Sequence, residues 1–136
     1  MTLSQLEDTL PNGLHDAFLM GLILSFDQGT ASLKVRLLVS GNGEKARYED
    51  AEIRLGGLAA VVVEGPERVS SIPAPLGICS FETSEKHYPA FSQVPEEIRR
   101  LFHSLYVESP WNSFIHIAAA SAEIVWDQTE LPAGNR

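Results

Sequence analysis

The 136-residue chain carries ten Lys or Arg against eighteen Asp or Glu, a formal net charge of -8, with 44% hydrophobic and 21% charged residues. That length suits one domain with a substantial core, and the balance argues against wholesale disorder. The acidic excess disfavours nucleic acid and anionic membranes as direct partners, and Lys34, Arg36 and Arg99-Arg100 form no basic patch.

Leu3, Leu6 and Leu10 are spaced as on one face of a short helix, and Ser4 with Glu7 has capping-box spacing. Pro11-Asn12-Gly13 ends it. The N-terminus has no basic segment leading into an apolar run, so no secretory signal is expected. Cytoplasm is the default expectation.

Ala17 to Val39 is the strongest element. Phe18, Met20, Leu22, Leu24 and Phe26 alternate with their neighbours, as do Ala31, Leu33, Val35, Leu37 and Val39. A tight turn pairing Asp27 with Thr30 would pair 26 with 31, 24 with 33, 22 with 35, 20 with 37 and 18 with 39. All these apolar side chains would then share one face of a hairpin. The run from Phe18 to Leu24 is too short to span a bilayer.

After a glycine-rich turn at 40–44, Ala46 to Leu55 reads as a third strand, with a bulge near Glu49-Asp50 or a solvated edge. Gly56-Gly57 interrupts it. Leu58 to Val63 is a continuous β-branched and apolar run, as in a strand covered on both faces. Ser70 to Gly77 reads as a loop, Ile78 to Thr83 as a strand and Ser84 to Pro95 as a long polar loop. Pro95-Glu96-Glu97 starts a short helix to about Leu101, and a strand follows to Val107. Ser109 to Asn112 is a turn, Ser113 to Ala119 and Ala122 to Trp126 are strands, and Leu131 to Arg136 is a loose tail.

The expected fold is therefore mainly β in one domain, 1–136, with roughly seven or eight strands and one or two short helices. An antiparallel β-sandwich and a strongly curved sheet closed by a helix both fit.

Chemical motifs are sparse. Cys79 is the only cysteine, which permits no intrachain disulfide and reads as a small half-buried residue. His15-Asp16 follows the Pro-Asn-Gly turn. Such a pair can serve a metal or a general base, yet adjacent strand residues point to opposite faces. The simpler reading has Asp16 bonding in the turn and His15 capping the sheet end. Pairing Leu105 with Ile115 and His103 with Ile117 puts His103 on the apolar face. His116 then lies on the other face with Phe102, Ser104, Tyr106 and Phe114. His103 is thus expected to be a hydrogen-bonded core histidine, and His87 a solvated one. Trp111-Asn112 at a turn tip is either an exposed anchor or a tryptophan folded back onto the sheet. Trp126 reads as core. No zinc spacing, nucleophile elbow or phosphate loop is present, and no cofactor is implied.

Leu10-Pro11-Asn12-Gly13-Leu14-His15-Asp16-Ala17, with Leu105-Tyr106-Val107 and Trp111-Asn112-Ser113-Phe114-Ile115, resembles a group of small bacterial proteins that form a domain of unknown function. Some members of such groups resemble immunity proteins. The likeness covers both ends of the chain and implies a bacterial, cytoplasmic, stand-alone domain without assigning a catalytic residue.

The leading expectation is a non-enzymatic binding module, immunity-like or regulatory, meeting a protein partner through Trp111 and Asn112. The alternatives are a small metal-dependent enzyme or metal-binding protein using His15 and Asp16, and a homo-oligomeric structural protein whose uncovered sheet pairs with itself.

Overall fold

A computed structural model describes residues 1–67 and 76–127. The expected tail at 131–136 and the 70–75 part of the expected loop lie outside the described residues. Helix α1 spans Leu3–Glu7. Strands β1 (Ala17–Ser25), β2 (Thr30–Ser40), β3 (Arg47–Val63), β4 (Leu76–Phe81), β5 (Phe102–Val107) and β6 (Ser113–Trp126) follow, with helix α2 (Glu96–Arg99) before β5. Every strand pairing is antiparallel, in the order β1-β2-β3-β6-β5-β4, and β4 returns to β1. The sheet is a closed barrel, not a sandwich. Among the described residues no helix is long and apolar enough to cross a membrane.

Among the described residues six strands replace the expected seven or eight, because β3 and β6 run through the anticipated breaks. Gly56-Gly57 bends β3 without ending it. Gly57 has a φ of 57°, and a Cβ there would come within 2.8 Å of the Ala120 Cβ. The glycine supplies a backbone conformation that other residues adopt at a cost, beside a small residue on β6. A register shift between Leu58 and Ala60 adds local twist where the pair curves.

The β1–β2 hairpin departs from the expected pairing. Its turn is longer: Ser25 pairs with Thr30, Leu24 with Ala31 and Leu22 with Leu33. A bulge between Leu19 and Gly21 then exchanges the inward and outward positions of β1. Ala17 and Leu19 point into the barrel below the bulge, while Met20 is exposed and Phe26 is 83% exposed in the turn. The β2 half agrees with its alternation: Ala31, Leu33, Val35 and Leu37 are buried.

The interior is filled from all six strands, with Leu33, Ile53, Ile78, Leu105 and Ile117 at or near zero exposure. Helix α1 adds Leu3 and Leu6, and the segment after it adds Leu14. The helix is capped by Thr2, whose hydroxyl accepts from the Gln5 N–H while the Gln5 side chain accepts from the Thr2 N–H. Ser4 and Glu7 are not its capping pair; they turn toward the barrel instead. The predicted sequence from helix to strand near Leu101 holds, and so does the pairing of Leu105 with Ile115 and His103 with Ile117.

Candidate functional site

Two buried histidines on β5 and β6 organise two clusters on opposite faces of the sheet. His103, 4% exposed, points inward, and His116, fully buried, points outward.

At the inward site α1 reaches from β6 across β5 to β4. The Ala122 N–H donates to the Met1 carbonyl. Ser4 Oγ lies 2.8 Å from His103 Nδ1, and Glu7 Oε1 lies 3.0 Å from His103 Nε2. The Ser80 hydroxyl donates to Glu7 Oε1 at 2.7 Å and also touches His103 Nε2. The Leu14 N–H donates to Glu7 Oε2 at 3.0 Å. One proton assignment satisfies every group: Ser4 donates to Nδ1, and the Nε2 proton faces Glu7 and Ser80. Burial opposes the charge on Glu7, but hydrogen bonds from His103, Leu14 and Ser80 outweigh it and lower its carboxyl to about 2.

Ser4, His103 and Glu7 are the residue types of a hydrolytic triad. Their placement is that of a clamp. His103 is 4% exposed with both ring nitrogens engaged, and Glu7 is saturated by internal donors, so the network ties α1 and the Pro-Asn-Gly turn to β4 and β5. A shallow cleft beside it is lined by Glu7, Asp8, His15, Ser80, Glu82 and His103.

On the outward face, His87, Tyr88 and Phe91 of the segment after β4 pack over β5 and β6. The expected polar loop contains a 3-10 turn, Pro89–Gln93, and places Tyr88 and Phe91 on Phe102. His116 stacks between Tyr88, at 4.9 Å, and Phe114, at 5.3 Å. His87 stacks on Phe114 at 4.7 Å, so it is a packed ring and not a solvated one. His116 Nδ1 meets Ser104 Oγ at 2.7 Å, and Ser104 meets the Thr83 hydroxyl at 2.6 Å. Its Nε2 faces Glu64 Oε2 at 3.5 Å without a hydrogen bond of good geometry. Burial is the main cause that lowers the pKa of His116; Glu64 opposes this and His87 adds to it.

The residues singled out from the sequence do not converge. His15 is largely exposed, with Nε2 4.0 Å from Glu7 Oε2. Asp16 has a φ of 57° and accepts from the Asn12 side chain at 3.4 Å. Trp111 folds back: it packs against the core and its Nε1–H donates to the Glu64 carbonyl at 3.0 Å. Asn112, with a φ of 56°, accepts from the Tyr106 hydroxyl at 3.2 Å. Burial, with the carboxylates of Glu108 and Asp16, raises the Cys79 thiol above its ordinary pKa, which leaves it a poor nucleophile. Among the described residues, no group of three His, Cys, Asp or Glu is arranged to hold a metal ion.

Exposed apolar surface gathers elsewhere, on the outer face of β1, β2, β3 and β6. One row across it runs Gly21, Lys34, Glu52, Val125, and the next runs Ile23, Ser32, Arg54, Glu123. Met20 beside the first row is 45% exposed, Ile23 56% and Val125 39%. Two shallow grooves cross this face. One lies between Met20, Lys34, Glu52, Val125 and Trp126, and the other between Ile23, Ser32, Arg54 and Glu123. The charges are paired within the face: Lys34 Nζ lies 3.4 Å from Glu52, Arg54 Nε 3.2 Å from Glu52, and Arg36 Nε 2.8 Å from Asp50. The Ser32 hydroxyl, with Arg54 and Lys34, holds Glu52 below the usual carboxylate range against the opposing effect of desolvation.

No match to a protein-family model, to a curated protein or to a solved structure is found for this chain.

Proposed function

We propose that this chain is a non-enzymatic protein-binding module whose contact surface is the outer face of β1, β2, β3 and β6. The observation that carries the reading is the exposure of Met20, Ile23 and Val125 on the outer sheet face, Met20 and Val125 along one groove and Ile23 along the next. Solvated sheet faces are ordinarily polar, and here exposed apolar side chains flank the paired charges of Lys34, Glu52 and Arg54, a mixture suited to a contact surface. Grooves between paired charges give such a surface relief without leaving unpaired ions to be desolvated. Support also comes from the two histidine clusters, in which the groups suited to catalysis are engaged in holding the fold. An immunity-like or regulatory role is compatible with this surface.

The test is cross-linking of tagged protein in its native host, comparing the natural chain with the Ile23→Lys and Val125→Lys variants. Both positions are exposed, so the variants keep the fold. Loss of a cross-linked protein species in both supports the reading. Identical recovery from all three proteins removes this face as the contact surface.

A further inference from the structure

We infer that Asn42 is a site of spontaneous deamidation, and that the fold confines the reaction there while shielding Asn12 and Asn112. Asn12-Gly13 and Asn42-Gly43 are both Asn-Gly pairs, and Asn112 precedes the small Ser113. Such pairs react without an enzyme. The main-chain nitrogen of the following residue attacks the asparagine Cγ and gives up its proton to solvent. An N–Cγ bond forms, the Cγ–Nδ2 bond breaks, and Nδ2 takes a proton from solvent and leaves as ammonia. Water then opens the five-membered imide at one carbonyl to give aspartate, or at the other to give isoaspartate. Nothing is oxidised or reduced, and water is the only reactant consumed. Glycine favours the attack because it sets no side chain beside the nitrogen. By sequence, positions 12 and 42 are equivalent.

The structure separates them. Residues 40–45, between β2 and β3, are all exposed. Among the described residues, neither the Asn42 side chain nor the Gly43 N–H has a hydrogen-bond partner. A Cβ added at Gly43 would meet nothing within 4 Å, so the space around this glycine is open. Closing the ring swings the Asn42 carbonyl and gives up the hydrogen bond it accepts from the Lys45 N–H at 2.9 Å. That donor is in a solvated turn, where water takes over the bond.

At Asn12 every participating group is held. Its Nδ2 donates to the His15 carbonyl at 3.0 Å and to Asp16 Oδ2 at 3.4 Å. Its carbonyl accepts from the His15 N–H at 3.2 Å, and the attacking Gly13 N–H is bonded to the Leu10 carbonyl at 3.3 Å. The Glu7 carboxylate stands 2.9 Å from where a Gly13 Cβ would lie, and its charge opposes loss of the Gly13 proton. Asn112 is fixed differently. Its Oδ1 accepts from the Tyr106 hydroxyl at 3.2 Å, while Ser113 pairs with Val107 and donates its hydroxyl to the Gly65 carbonyl at 2.7 Å. Breaking such bonds before attack slows the reaction by about tenfold or more.

The product adds one negative charge to a chain of formal net charge -8. Its isoaspartyl form also adds a carbon to the main chain in the turn, outside the ladder that pairs Ser40 with Arg47.

The experiment is incubation of the full chain at mildly alkaline pH, folded and in concentrated urea, followed by trypsin digestion and mass spectrometry over time. Asn42 is the only asparagine or glutamine in the tryptic peptide 37–45. In the folded chain this peptide should convert to two new species of equal mass, heavier by the difference between OH and NH2. Asn12 and Asn112 should lag by about tenfold or more. In urea, Asn12 should react as fast as Asn42. Equal rates at Asn12 and Asn42 in the folded chain overturn the inference, and so does an Asn42 that survives in the folded chain while urea converts it. A single new species in place of two overturns the imide route.

Discussion

The Glu7 carboxylate lies 3.0 Å from the Nε2 of His103, although 96 positions of sequence separate them and each sits on a different element. The contact joins α1 to β5 inside the barrel, and Ser80 on β4 and the Leu14 N–H complete the coordination of the carboxylate. It is a charged group held in place by several donors, so its protonation is coupled to folding.

Acid unfolding should show this coupling. The carboxyl of Glu7 is lowered from 4.5 to about 2, so the folded state binds its proton later than the unfolded state. The resulting stability is present above pH 4.5 and is lost as pH falls through that value toward 2. The shift corresponds to up to about 3 kcal/mol. Glu7→Gln should lower stability at pH 7 by about 1–3 kcal/mol and flatten the dependence below pH 4.5. Urea unfolding midpoints between pH 2.5 and 7 check both, and parallel curves for the two proteins would contradict the assignment.

A second pH window belongs to His116. Its folded pKa is lowered from 6.5, so the unfolded chain takes up this proton first. Stability contributed by neutral His116 is complete above pH 6.5 and declines as pH falls below it. His116→Phe keeps an aromatic ring in the stack with Tyr88 and Phe114 but does not titrate. The difference in unfolding midpoint between pH 7.5 and 5.5 should narrow in the variant. Amide protection factors over residues 84–94, corrected for the intrinsic exchange rate, should fall at pH 5.5 in the natural chain alone.

Gly57 should resist substitution. Gly57→Ala places a side chain at a φ of 57° and a Cβ within 2.8 Å of the Ala120 Cβ. The left-handed backbone alone costs about 1–2 kcal/mol. Adding Ala120→Gly should recover the part due to crowding and leave the backbone part. A double-mutant cycle by thermal unfolding separates the two, and full additivity would show that the Cβ contact contributes nothing.

The hairpin register predicts opposite outcomes for two large apolar residues near the same turn. Leu33 is fully buried opposite Leu22, and Leu33→Ala should cost about 2–5 kcal/mol through the cavity it leaves. Phe26 is exposed in the turn, and Phe26→Ser should change stability by no more than about 0.5 kcal/mol. Comparable losses at both positions would restore the shorter turn in which Phe26 faces the core.

These residues also mark where local pattern stops deciding structure. In β2, every second side chain from Ala31 to Leu37 is buried, as the alternation requires, because a regular strand keeps one face toward the core. In β1 the same alternation misassigns Phe18 and Met20, since one bulged residue reverses the inward set and leaves no mark in the pattern itself. Tyr88 and Phe91, three apart in an otherwise polar stretch, were the available sign that residues 84–94 pack against the sheet.

By itself the sequence determined a mainly β, antiparallel domain, the inward face of β2, the helix start after Pro95 and the β5–β6 pairing that separates His103 from His116. Each follows from side-chain periodicity or helix-end chemistry acting over a few residues. The tertiary structure alone decided that β4 closes on β1, that the Gly56-Gly57 segment bends a single long strand, and that Ser4 and Glu7 clamp His103 instead of capping α1. It also decided that Met20, Ile23 and Val125 are exposed on the outer sheet face. These depend on contacts between distant segments, and barrel closure and bulges choose among arrangements that the local pattern leaves equally allowed.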